Sequence, residues 1–298
     1  MNLLDGLRAF VATAQTGSFT AAAERLGLSN RLTSKYVAAL EADLGTRLLQ
    51  RTTRKVGLTP AGEDLLARAP ALLDELDDML AAVTDASRGF SGTLRISAPV
   101  TFGEVYVQDL LSRFSALHPD LVIDLRLDDR YADLAGDGID LAFRIGTPDV
   151  ASMKMRKLGT IRSAVVAAPS YLAARGTPRT PLDLTAHDCI VDTNRRNPFR
   201  WILDGPDGAV TVPVRGRMMV NNAQVARDLA MMGRGIAFCP AFVLRDALQT
   251  GRLVTVLDAF AAPAIPLNAA YLEGRTLPRK VRALIEFAHD DMRRGGFA

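Results

Sequence analysis

The N-terminal part of the chain, residues 1–62, places apolar and polar side chains at the spacing of short amphipathic helices. The spacing of three or four residues places Phe19, Ala22, Ala23 and Leu26 on one face of a first helix. The same spacing places Thr33, Val37 and Leu40 on one face of a second helix. Gly27 ends the first helix and Ser29 offers a hydroxyl N-cap for the second, so the turn between them has only a few residues. This layout predicts a helix-turn-helix.

The outer side of the second helix is polar in its first turns. In a helix-turn-helix those turns enter the major groove of DNA, where side chains hydrogen-bond base edges or phosphates. We therefore expect DNA contacts from Asn30, Arg31, Thr33, Ser34 and Lys35. The alternative is a small helical hairpin whose polar face is only solvated.

A dense basic turn follows the second helix. The chain runs through Arg51, Thr52, Thr53, Arg54 and Lys55 and returns to Leu58-Thr59-Pro60. This pattern resembles the wing of a winged helix-turn-helix, and we expect Arg51, Thr52 and Arg54 to contact DNA. Arg54 is predicted to reach the DNA backbone or the minor groove.

The distribution of charge supports this interpretation. The 298 residues include 36 Lys or Arg and 33 Asp or Glu, and residues 1–62 hold eight of the basic and four of the acidic residues. The remainder, with 28 basic and 29 acidic residues, is nearly neutral. The excess positive charge therefore lies where phosphates would be neutralised, which argues against a merely solvated basic surface.

A long helix is predicted next, with Thr59 as N-cap and Pro60 as its first residue. Apolar residues recur with heptad spacing at Leu65, Ala69, Leu72, Leu76, Met79 and Val83, with Leu66, Leu73 and Leu80 beside them. Such a stripe packs either within the chain or against a second copy, and we expect a second copy because this helix joins two domains. Pro70 removes one helical hydrogen bond and predicts a bend.

Beyond a Gly/Ser-rich break at residues 87–92, predicted strands alternate with helices. The strands lie near 94–98, 123–127, 141–145, 163–167, 189–191, 236–239, 253–257 and 267–272, and the main helices near 110–117, 221–232 and 278–293, with a hairpin around 204–208. This alternation predicts an open, mainly parallel sheet. A second unit begins near Ser163 and the tail returns to the first, which predicts two lobes joined by two crossings.

The segments SFTAAAERLGLS and LEADLGTRLLQRTTRKVGLTPAGE closely resemble the N-terminal domain of LysR-type transcriptional regulators. LRISAPVTFG, DGIDLAFRIG and GRGIAFCP resemble the effector domain of the same family. The resemblance implies an α/β protein with an N-terminal winged helix-turn-helix, a long linker helix and a two-lobed effector domain like periplasmic binding proteins. The recognition helix departs from the family pattern at Asn30-Arg31 and at Thr33 before Ser34-Lys35, so the resemblance does not carry over a target sequence.

The resemblance also implies a division of the chain and a set of partners. We expect a DNA-binding domain at 1–62, a linker and dimerisation helix with hinge at 63–91, and an effector-binding domain at 92–298, with lobe I at about 92–162 and 267–294 and lobe II at about 163–266. The expected partners are double-stranded DNA with an imperfect palindromic operator, a small-molecule effector, further copies of the chain in a homodimer or homotetramer, and RNA polymerase.

Ligands of open parallel sheets bind beyond the carboxyl ends of the strands. That rule selects three places, which contain Pro99, Val100, Thr101, Phe102, Arg144, Gly146, Asn221, Asn222 and Phe238. The helix after Pro99 offers N–H groups, Arg144 a cation, and Phe102 or Phe238 an apolar wall, so we expect a small organic acid as effector. The alternatives are a capping role for Thr101, an ion pair for Arg144 and a core position for Phe238.

Other classes of protein fit the sequence less well. Gly233-Arg234-Gly235 is half a dinucleotide fingerprint and precedes a strand, and no Cys/His or Ser/His spacing indicates a nucleophile. We therefore expect no enzyme, no catalytic residues and no cofactor, with a small-molecule-binding enzyme as the less favoured alternative. Cys189, Cys239 and the three His have no metal-ligand spacing, and no metal is expected. Without a signal-peptide pattern or a run of ~18 apolar residues, we expect a cytoplasmic protein that contacts no membrane. A thiol redox sensor built on Cys239 remains an alternative within the family.

Replacing Lys35 with alanine should weaken DNA binding. If Lys35 contacts a phosphate, its loss also flattens the dependence of log affinity on log salt concentration by about one unit. Titration of a DNA target at several salt concentrations measures both effects. We call the DNA-binding domain at residues 1–62 the head. A head whose affinity for DNA responds neither to salt nor to this substitution would contradict the DNA-binding assignment.

Overall fold

The computed structural model of the chain describes residues 2–51, 56–84, 89–130, 134, 136–146, 153–206, 208–273 and 277–295. The helices are α1 (Leu3–Thr16), α2 (Phe19–Leu26), α3 (Asn30–Leu44), α4 (Pro60–Leu66), α5 (Ala69–Thr84), α6 (Val100–Phe102), α7 (Gln108–Ala116), α8 (Pro169–Arg175), α9 (Ala223–Met231), α10 (Arg245–Gln249) and α11 (Arg279–Arg294). A wide helical turn, Gly103–Val107, makes α6 and α7 one continuous run. No described helix combines the length and apolarity that a membrane span requires.

The strands of the described chain belong to a small hairpin in the N-terminal part and to three sheets in the C-terminal part. They are β1 (Leu49–Arg51), β2 (Val56–Leu58), β3 (Gly92–Ala98), β4 (Leu121–Leu127), β5 (Leu141–Ile145), β6 (Met153–Ile161), β7 (Ser163–Ala167), β8 (Cys189–Asp192), β9 (Arg200–Gly205), β10 (Gly208–Pro213), β11 (Met218–Val220), β12 (Ile236–Pro240), β13 (Val254–Thr255) and β14 (Ile265–Leu272). The predicted hairpin around residues 204–208 is confirmed as β9 and β10, which pair antiparallel.

Helices α2 and α3 form the helix-turn-helix, and local sequence determines where they end and begin. Gly27, at a φ of +64°, ends α2 in the left-handed conformation that glycine adopts most easily. The Ser29 hydroxyl accepts a hydrogen bond from the Leu32 N–H at 3.2 Å and so caps α3. Both predicted boundaries are confirmed. The core beneath these helices includes Phe10, Ala22, Val37 and Leu40.

One carboxylate ties the wing hairpin to α3. Glu41 Oε1 accepts hydrogen bonds from the backbone N–H groups of Leu48 at 2.8 Å and Leu49 at 3.0 Å, where β1 begins. Strands β1 and β2 pair antiparallel, with Leu49 opposite Leu58. At the start of α4, a Cβ on Gly62 would lie 2.0 Å from the Leu48 carbonyl oxygen. Helix α3, the hairpin and α4 therefore pack as one unit.

The long helix predicted after the wing is divided into α4 and α5. Thr59 caps α4 as predicted, since its Oγ1 accepts a hydrogen bond from the Gly62 N–H at 3.0 Å. The helix is interrupted at residues 67–68, just before Pro70. In a continuous helix the Pro70 ring would clash with the carbonyl of Leu66. Pro70 therefore produces a break where the sequence predicted a bend.

The heptad stripe of α5 divides between two environments. Leu73 is 7% exposed and belongs to the core of the head, and Arg8 Nη1 of α1 donates to Asp77 Oδ2 at 2.9 Å. Leu72 and Met79 are 62% and 57% exposed. One face of α5 is thus docked on the head, and a different apolar face points away from it.

The sheet of lobe I has the strand order β4-β3-β5-β14-β6. β3 pairs parallel with β4 and β5, whereas β14 pairs antiparallel with β5 and β6. Four of these described strands therefore run in one direction, and β14 runs against them. The lobe buries apolar side chains from both the sheet and its helices, among them Leu94, Ile96, Phe114, Leu141 and Leu284.

The sheet of lobe II repeats this arrangement with the order β11-β8-β12-β7-β13. β8 pairs parallel with β11 and β12, whereas β7 pairs antiparallel with β12 and β13. Among the described strands, β7 is the one that runs against the other four. The expected mainly parallel sheets are confirmed, and the reversed strand in each is a feature that the alternation of elements did not predict.

The reversed strands follow the two crossings between the lobes. β6 ends at Ile161 and β7 begins at Ser163 in the other sheet, and the chain returns between Thr255 and Ile265, where β14 begins. β6 ends at the boundary between the lobes. Because β3, β4 and β5 run in the same direction as β6, they also end at this boundary. The same argument applies to β8, β11, β12 and β13. The carboxyl ends of both sets of strands therefore face one cleft.

Helices α7 and α11 of lobe I are joined by a polar cluster. Arg113 Nη2 donates to Asp291 Oδ2 at 3.0 Å, and the Tyr106 hydroxyl also donates to Asp291. Asp109 is a second partner of the same arginine, 2.9 Å from Arg113 Nε. The hydrogen bonds from Arg113 hold the pKa of Asp291 below its usual range.

Asp291→Asn should lower the free energy of unfolding by about 1 kcal/mol at neutral pH, a small effect because Arg113 is 44% exposed and water screens the pair. A carboxylate with a depressed folded-state pKa stabilises the fold above its unfolded pKa. The difference between wild type and variant should therefore shrink as the pH falls from about 4 to about 2. Urea unfolding at several pH values measures it. Asp109→Asn, which removes the more exposed partner, should cost less, and equal losses would contradict this interpretation.

Candidate functional site

The outer face of α3 carries most of the residues that were predicted to contact DNA. The exposed or partly exposed positions are Asn30, Arg31, Ser34 and Lys35. Thr33 is instead fully buried, and its hydroxyl donates to the Ser29 carbonyl oxygen at 3.1 Å. The prediction that Thr33 contacts DNA is therefore corrected, because the helical period turns this side chain into the core.

Asn30 is oriented by the preceding helix. Its Nδ2 donates to Thr20 Oγ1 at 3.0 Å, which leaves the side-chain oxygen to accept a hydrogen bond from outside the protein. Thr20 is exposed on α2 beside the recognition helix. Sequence reasoning missed Thr20, because its role arises from a contact across the turn between residues ten positions apart.

The hairpin places Arg51 at the end of β1, opposite Val56 of β2. Thr52 and Arg54, the other wing residues expected to contact DNA, lie outside the described residues. The paired strands agree with a wing at this point of the chain. DNA contacts from the three wing residues remain predictions.

The first predicted effector position lies where β3 ends and α6 begins. Pro99 is the residue before the helix, and both Thr101 and Phe102 are buried. The Val100 N–H donates to Asp129 Oδ1 at 3.0 Å. A carboxylate of the protein itself thus accepts from one of the donors expected to bind an effector, and the positive end of the helical run favours that negative charge.

The second predicted position lies at the end of β5. Arg144 is buried, with Nη2 donating to Ser97 Oγ and Nη1 to the Phe143 carbonyl oxygen, both at 2.9 Å. Gly146 follows at a φ of +92°, and its carbonyl oxygen accepts from Asn268 Nδ2 at 2.9 Å. The guanidinium is therefore hydrogen-bonded within lobe I. The sequence left open an ion pair as the alternative role of Arg144, and these two hydrogen-bond partners are neutral.

The two aromatic residues expected to wall the ligand site belong to hydrophobic cores. Phe102 is fully buried, with its ring centroid 5.3 Å from those of Tyr106 and Phe242. Phe238 is buried in lobe II, 5.3 Å from the ring centroid of Trp201. The expectation of an open apolar wall at either residue is corrected, because neighbouring elements cover both rings.

Asn221 and Asn222, the remaining predicted residues, precede α9. Asn222 Oδ1 accepts from the backbone N–H groups of Gln224 at 2.9 Å and Val225 at 3.1 Å, so this side chain caps the helix. The Asn221 carbonyl oxygen accepts from Asn194 Nδ2 at 2.5 Å. The structure thus gives Asn222 a local role and brings the Asn221 backbone to the rim of the cleft.

Two side-chain hydrogen bonds between described residues span the cleft between the lobes. Asn194 Nδ2 of lobe II donates to Asp129 Oδ2 of lobe I at 3.0 Å, and Gln224 Nε2 donates to Glu104 Oε2 at 2.8 Å. Since the other oxygen of Asp129 accepts from Val100, this carboxylate connects the start of α6 to lobe II. Sequence reasoning missed these bridges because their partners lie 65 and 120 positions apart.

The turn after β8 brings an acid and a cation to the same edge. The Asn194 N–H donates to Asp192 Oδ1 at 3.0 Å, and Arg195 Nη2 donates to the Phe238 carbonyl oxygen at 2.9 Å and to Ser163 Oγ at 3.2 Å. Burial raises the pKa of Asp192 and lowers that of Arg195. The Asp and Asn in this segment indicate a turn, but nothing local indicates a buried charge.

The cysteines considered for a redox role are both free and buried. Burial raises the pKa of Cys189 and of Cys239 to about 12, so little reactive thiolate forms at neutral pH. Cys239 Sγ lies 3.8 Å from the Ala223 carbonyl oxygen. This environment is typical of a structural cysteine and does not favour a thiol sensor.

Two family models match most of the chain. The model described as a bacterial regulatory helix-turn-helix protein of the lysR family matches residues 4–63. The model described as a LysR substrate binding domain matches residues 87–293. Their boundary coincides with the linker that contains α4 and α5.

Curated relatives match almost the whole length of this chain. The HTH-type transcriptional regulator PtxR of Pseudomonas aeruginosa is 38% identical over 294 residues, which covers 99% of this chain and 94% of PtxR. The HTH-type transcriptional regulator DmlR of Escherichia coli is 33% identical over 286 residues, which covers 96% of this chain and 93% of DmlR.

Solved structures agree with the fold. The full-length virulence activator AphB of Vibrio cholerae is 31% identical and superposes with a TM-score of 0.61, covering 97% of this chain and 98% of that one. CrgA of Neisseria meningitidis, a LysR-type transcriptional regulator, is 26% identical with a TM-score of 0.63, covering 96% and 98%. This chain therefore belongs to the LysR family of transcriptional regulators, which join a DNA-binding helix-turn-helix to an effector-binding domain.

Proposed function

We propose that this regulator binds an imperfect palindromic operator through paired copies of residues 1–62 and responds to an effector held between the lobes. In this proposal residues 63–91 pair the copies into a homodimer or homotetramer. Residues 92–298 bind the effector, with lobe I at about 92–162 and 267–294 and lobe II at about 163–266. The family assignment and the excess of basic residues in 1–62 support this division.

The observation that carries the pairing is the exposed apolar strip on α5. Leu72 and Met79 lie seven residues apart on one face, with the partly buried Leu76 between them. Exposed apolar area of this kind is stabilised when a partner removes it from water. A second copy of α5 carries the same strip at the same spacing and is therefore a self-complementary partner.

Pairing through α5 would bring two copies of α3 to the same face of the DNA. Heads that occupy successive major grooves lie about 34 Å apart, which corresponds to half-sites separated by about 10 base pairs. In each half-site we assign the major-groove contacts to Asn30, Arg31, Ser34 and Lys35. Arg51, Thr52 and Arg54 of the wing would contact the backbone or the minor groove.

The effector in this proposal is a small organic acid. The carboxyl ends of the parallel strands meet at the cleft, which is where open α/β sheets bind ligands. Asn194 and Asp129 bridge the cleft, so a ligand that binds there shifts the balance between lobe arrangements through its different affinity for each. That shift would reach α5 through residues 89–92, and DNA-bound copies would transmit it to RNA polymerase in the cytoplasm.

Selection of bound sequences from random and genomic DNA tests the function directly. We expect enrichment of an imperfect palindrome whose half-sites are about 10 base pairs apart, with an affinity that falls steeply with salt. The Lys35→Ala chain, selected in parallel, should enrich the same sites more weakly. Enrichment of no sequence, or of a single unpaired site, would contradict the proposal.

Leu72→Asp should separate the paired chains and leave each one folded. The new carboxylate would be buried without a partner in a helix pair but solvated in a single chain, so dissociation is favoured. Loss of the second head should reduce operator affinity by roughly 100-fold. Sedimentation and gel shifts measure the two effects.

Leu73→Asp is the matched control, since the adjacent residue faces the core of its own head. Leu73→Asp should lower the melting temperature because it places a carboxylate in the core. Leu72→Asp, in contrast, should change only the association of folded chains. A Leu72→Asp protein that keeps its oligomeric state and its full operator affinity would show that the exposed strip does not pair the chains.

A further inference from the structure

Arg195 lies at the edge of the lobe II sheet that faces lobe I. Its guanidinium bonds to Ser163, where β7 begins, and to the carbonyl of Phe238, near the end of β12. Its neighbour Asn194 reaches across the cleft to Asp129. These contacts place the Arg195 side chain beside the cleft, at the carboxyl ends of the lobe II strands.

The hydrogen-bonding capacity of this guanidinium is not satisfied. Nη2 has two neutral partners, but Nε is buried and has no hydrogen-bond partner among the described residues. Among the described residues no carboxylate makes a salt bridge with Arg195, although the charge of nearby Asp192 partly offsets the lowering of the Arg195 pKa by burial. The guanidinium carbon lies 3.8 Å from the centroid of the Phe238 ring. A buried cation without a contacting counter-ion destabilises a fold, so a site that keeps one is suited to an anion from outside.

We propose that Arg195 anchors the effector by donating its Nε–H to a carboxylate oxygen, and that the effector is a monocarboxylate. This inference rests on the effector role proposed above and specifies its chemistry. A hydrogen bond between a guanidinium and a carboxylate is charge-assisted and stronger than a neutral one. The Val100 N–H and the Arg144 guanidinium already have partners in the protein, whereas the buried Nε–H of Arg195 has none among the described residues.

The surrounding carboxylates restrict the charge of the ligand. Asp192 precedes Arg195 in the same turn, and Asp129 is bonded to the adjacent Asn194. A second carboxylate on the ligand would meet this negative charge in a partly desolvated cleft, where like charges repel strongly. One negative charge is therefore favoured over two.

The position of Arg195 also connects binding to the arrangement of the lobes. Arg195 and Asn194 are adjacent in one tight turn, closed by hydrogen bonds from both of their N–H groups to Asp192. A carboxylate bound to Arg195 acts on the turn that carries the bridge to Asp129. Ligand occupancy and the interlobe bridge are thus coupled through a few covalent bonds.

The test is calorimetric titration of the full chain with matched small molecules. The probes are propionate against succinate and benzoate against phthalate, with benzamide as the neutral and benzylamine as the cationic analogue. We expect the monocarboxylates to bind at least about tenfold more tightly than the dianions, the amide and the amine. Arg195→Gln should weaken monocarboxylate binding by about tenfold or more, and Arg195→Lys should fall between because it keeps the charge without the planar donors.

Arg196→Gln is the matched control, because Arg196 is the exposed neighbouring arginine. It should bind monocarboxylates as the wild type does. Ser163→Asp is an independent second variant, since a carboxylate at this position lies beside Nη2 and supplies the counter-charge within the chain. It should raise the melting temperature of the ligand-free protein and abolish monocarboxylate binding.

The proposal is overturned if no monocarboxylate probe binds the wild type, if Arg195→Gln binds as tightly as Arg196→Gln, or if benzylamine binds best. Operator binding of the same preparations is a separate measurement. A protein that binds operator DNA but no monocarboxylate refutes this inference alone. A protein that binds monocarboxylates but no DNA refutes the proposed function alone.

Discussion

The two crossings between the lobes constrain everything else in the effector domain. A chain that leaves one sheet at the cleft must enter the other sheet from the cleft, so the entering strands β7 and β14 run against their neighbours. The remaining strands then end at the cleft. The loops that follow them bring polar residues to this one boundary, including Asp129 after β4 and Asn194 and Arg195 after β8. The connectivity of the chain therefore determines where these polar residues meet, whichever side chains the loops carry.

The parts of the fold that could be predicted are those with local signals. Gly27 and Ser29 determine adjacent helix ends through their own backbone and hydroxyl, and Thr59 acts within its own helical turn. The sequence predicted the heptad stripe of α5 but not which of its residues pack on the head. Its division between Leu72 and Leu73 depends on where the helix docks on the head, and that docking follows from contacts with α1, which heptad spacing does not encode.

The sequence predicted a place for the effector site but not the hydrogen bonds that the residues there make within the protein. The rule that selects the carboxyl ends of the strands depends only on the alternation of elements, and an effector site at these ends stays a prediction. The residues chosen there had conspicuous chemistry, yet Arg144 bonds to Ser97 and the Val100 N–H bonds to Asp129, partners 47 and 29 positions away. Arg195, whose buried Nε–H has no partner among the described residues, lies in a polar segment without periodicity, where burial could not be predicted.

The bond from Glu41 to the start of the hairpin has a consequence for how sequence is recognised. Because the backbone N–H groups of Leu48 and Leu49 donate to a carboxylate of α3, the start of β1 is fixed relative to the recognition helix. If α3 and the wing both contact DNA as proposed, a duplex whose grooves do not match this fixed spacing would have to deform to meet both elements. The stiffness and groove width of base pairs that no side chain touches would then contribute to the affinity, and specificity would extend beyond the contacted bases.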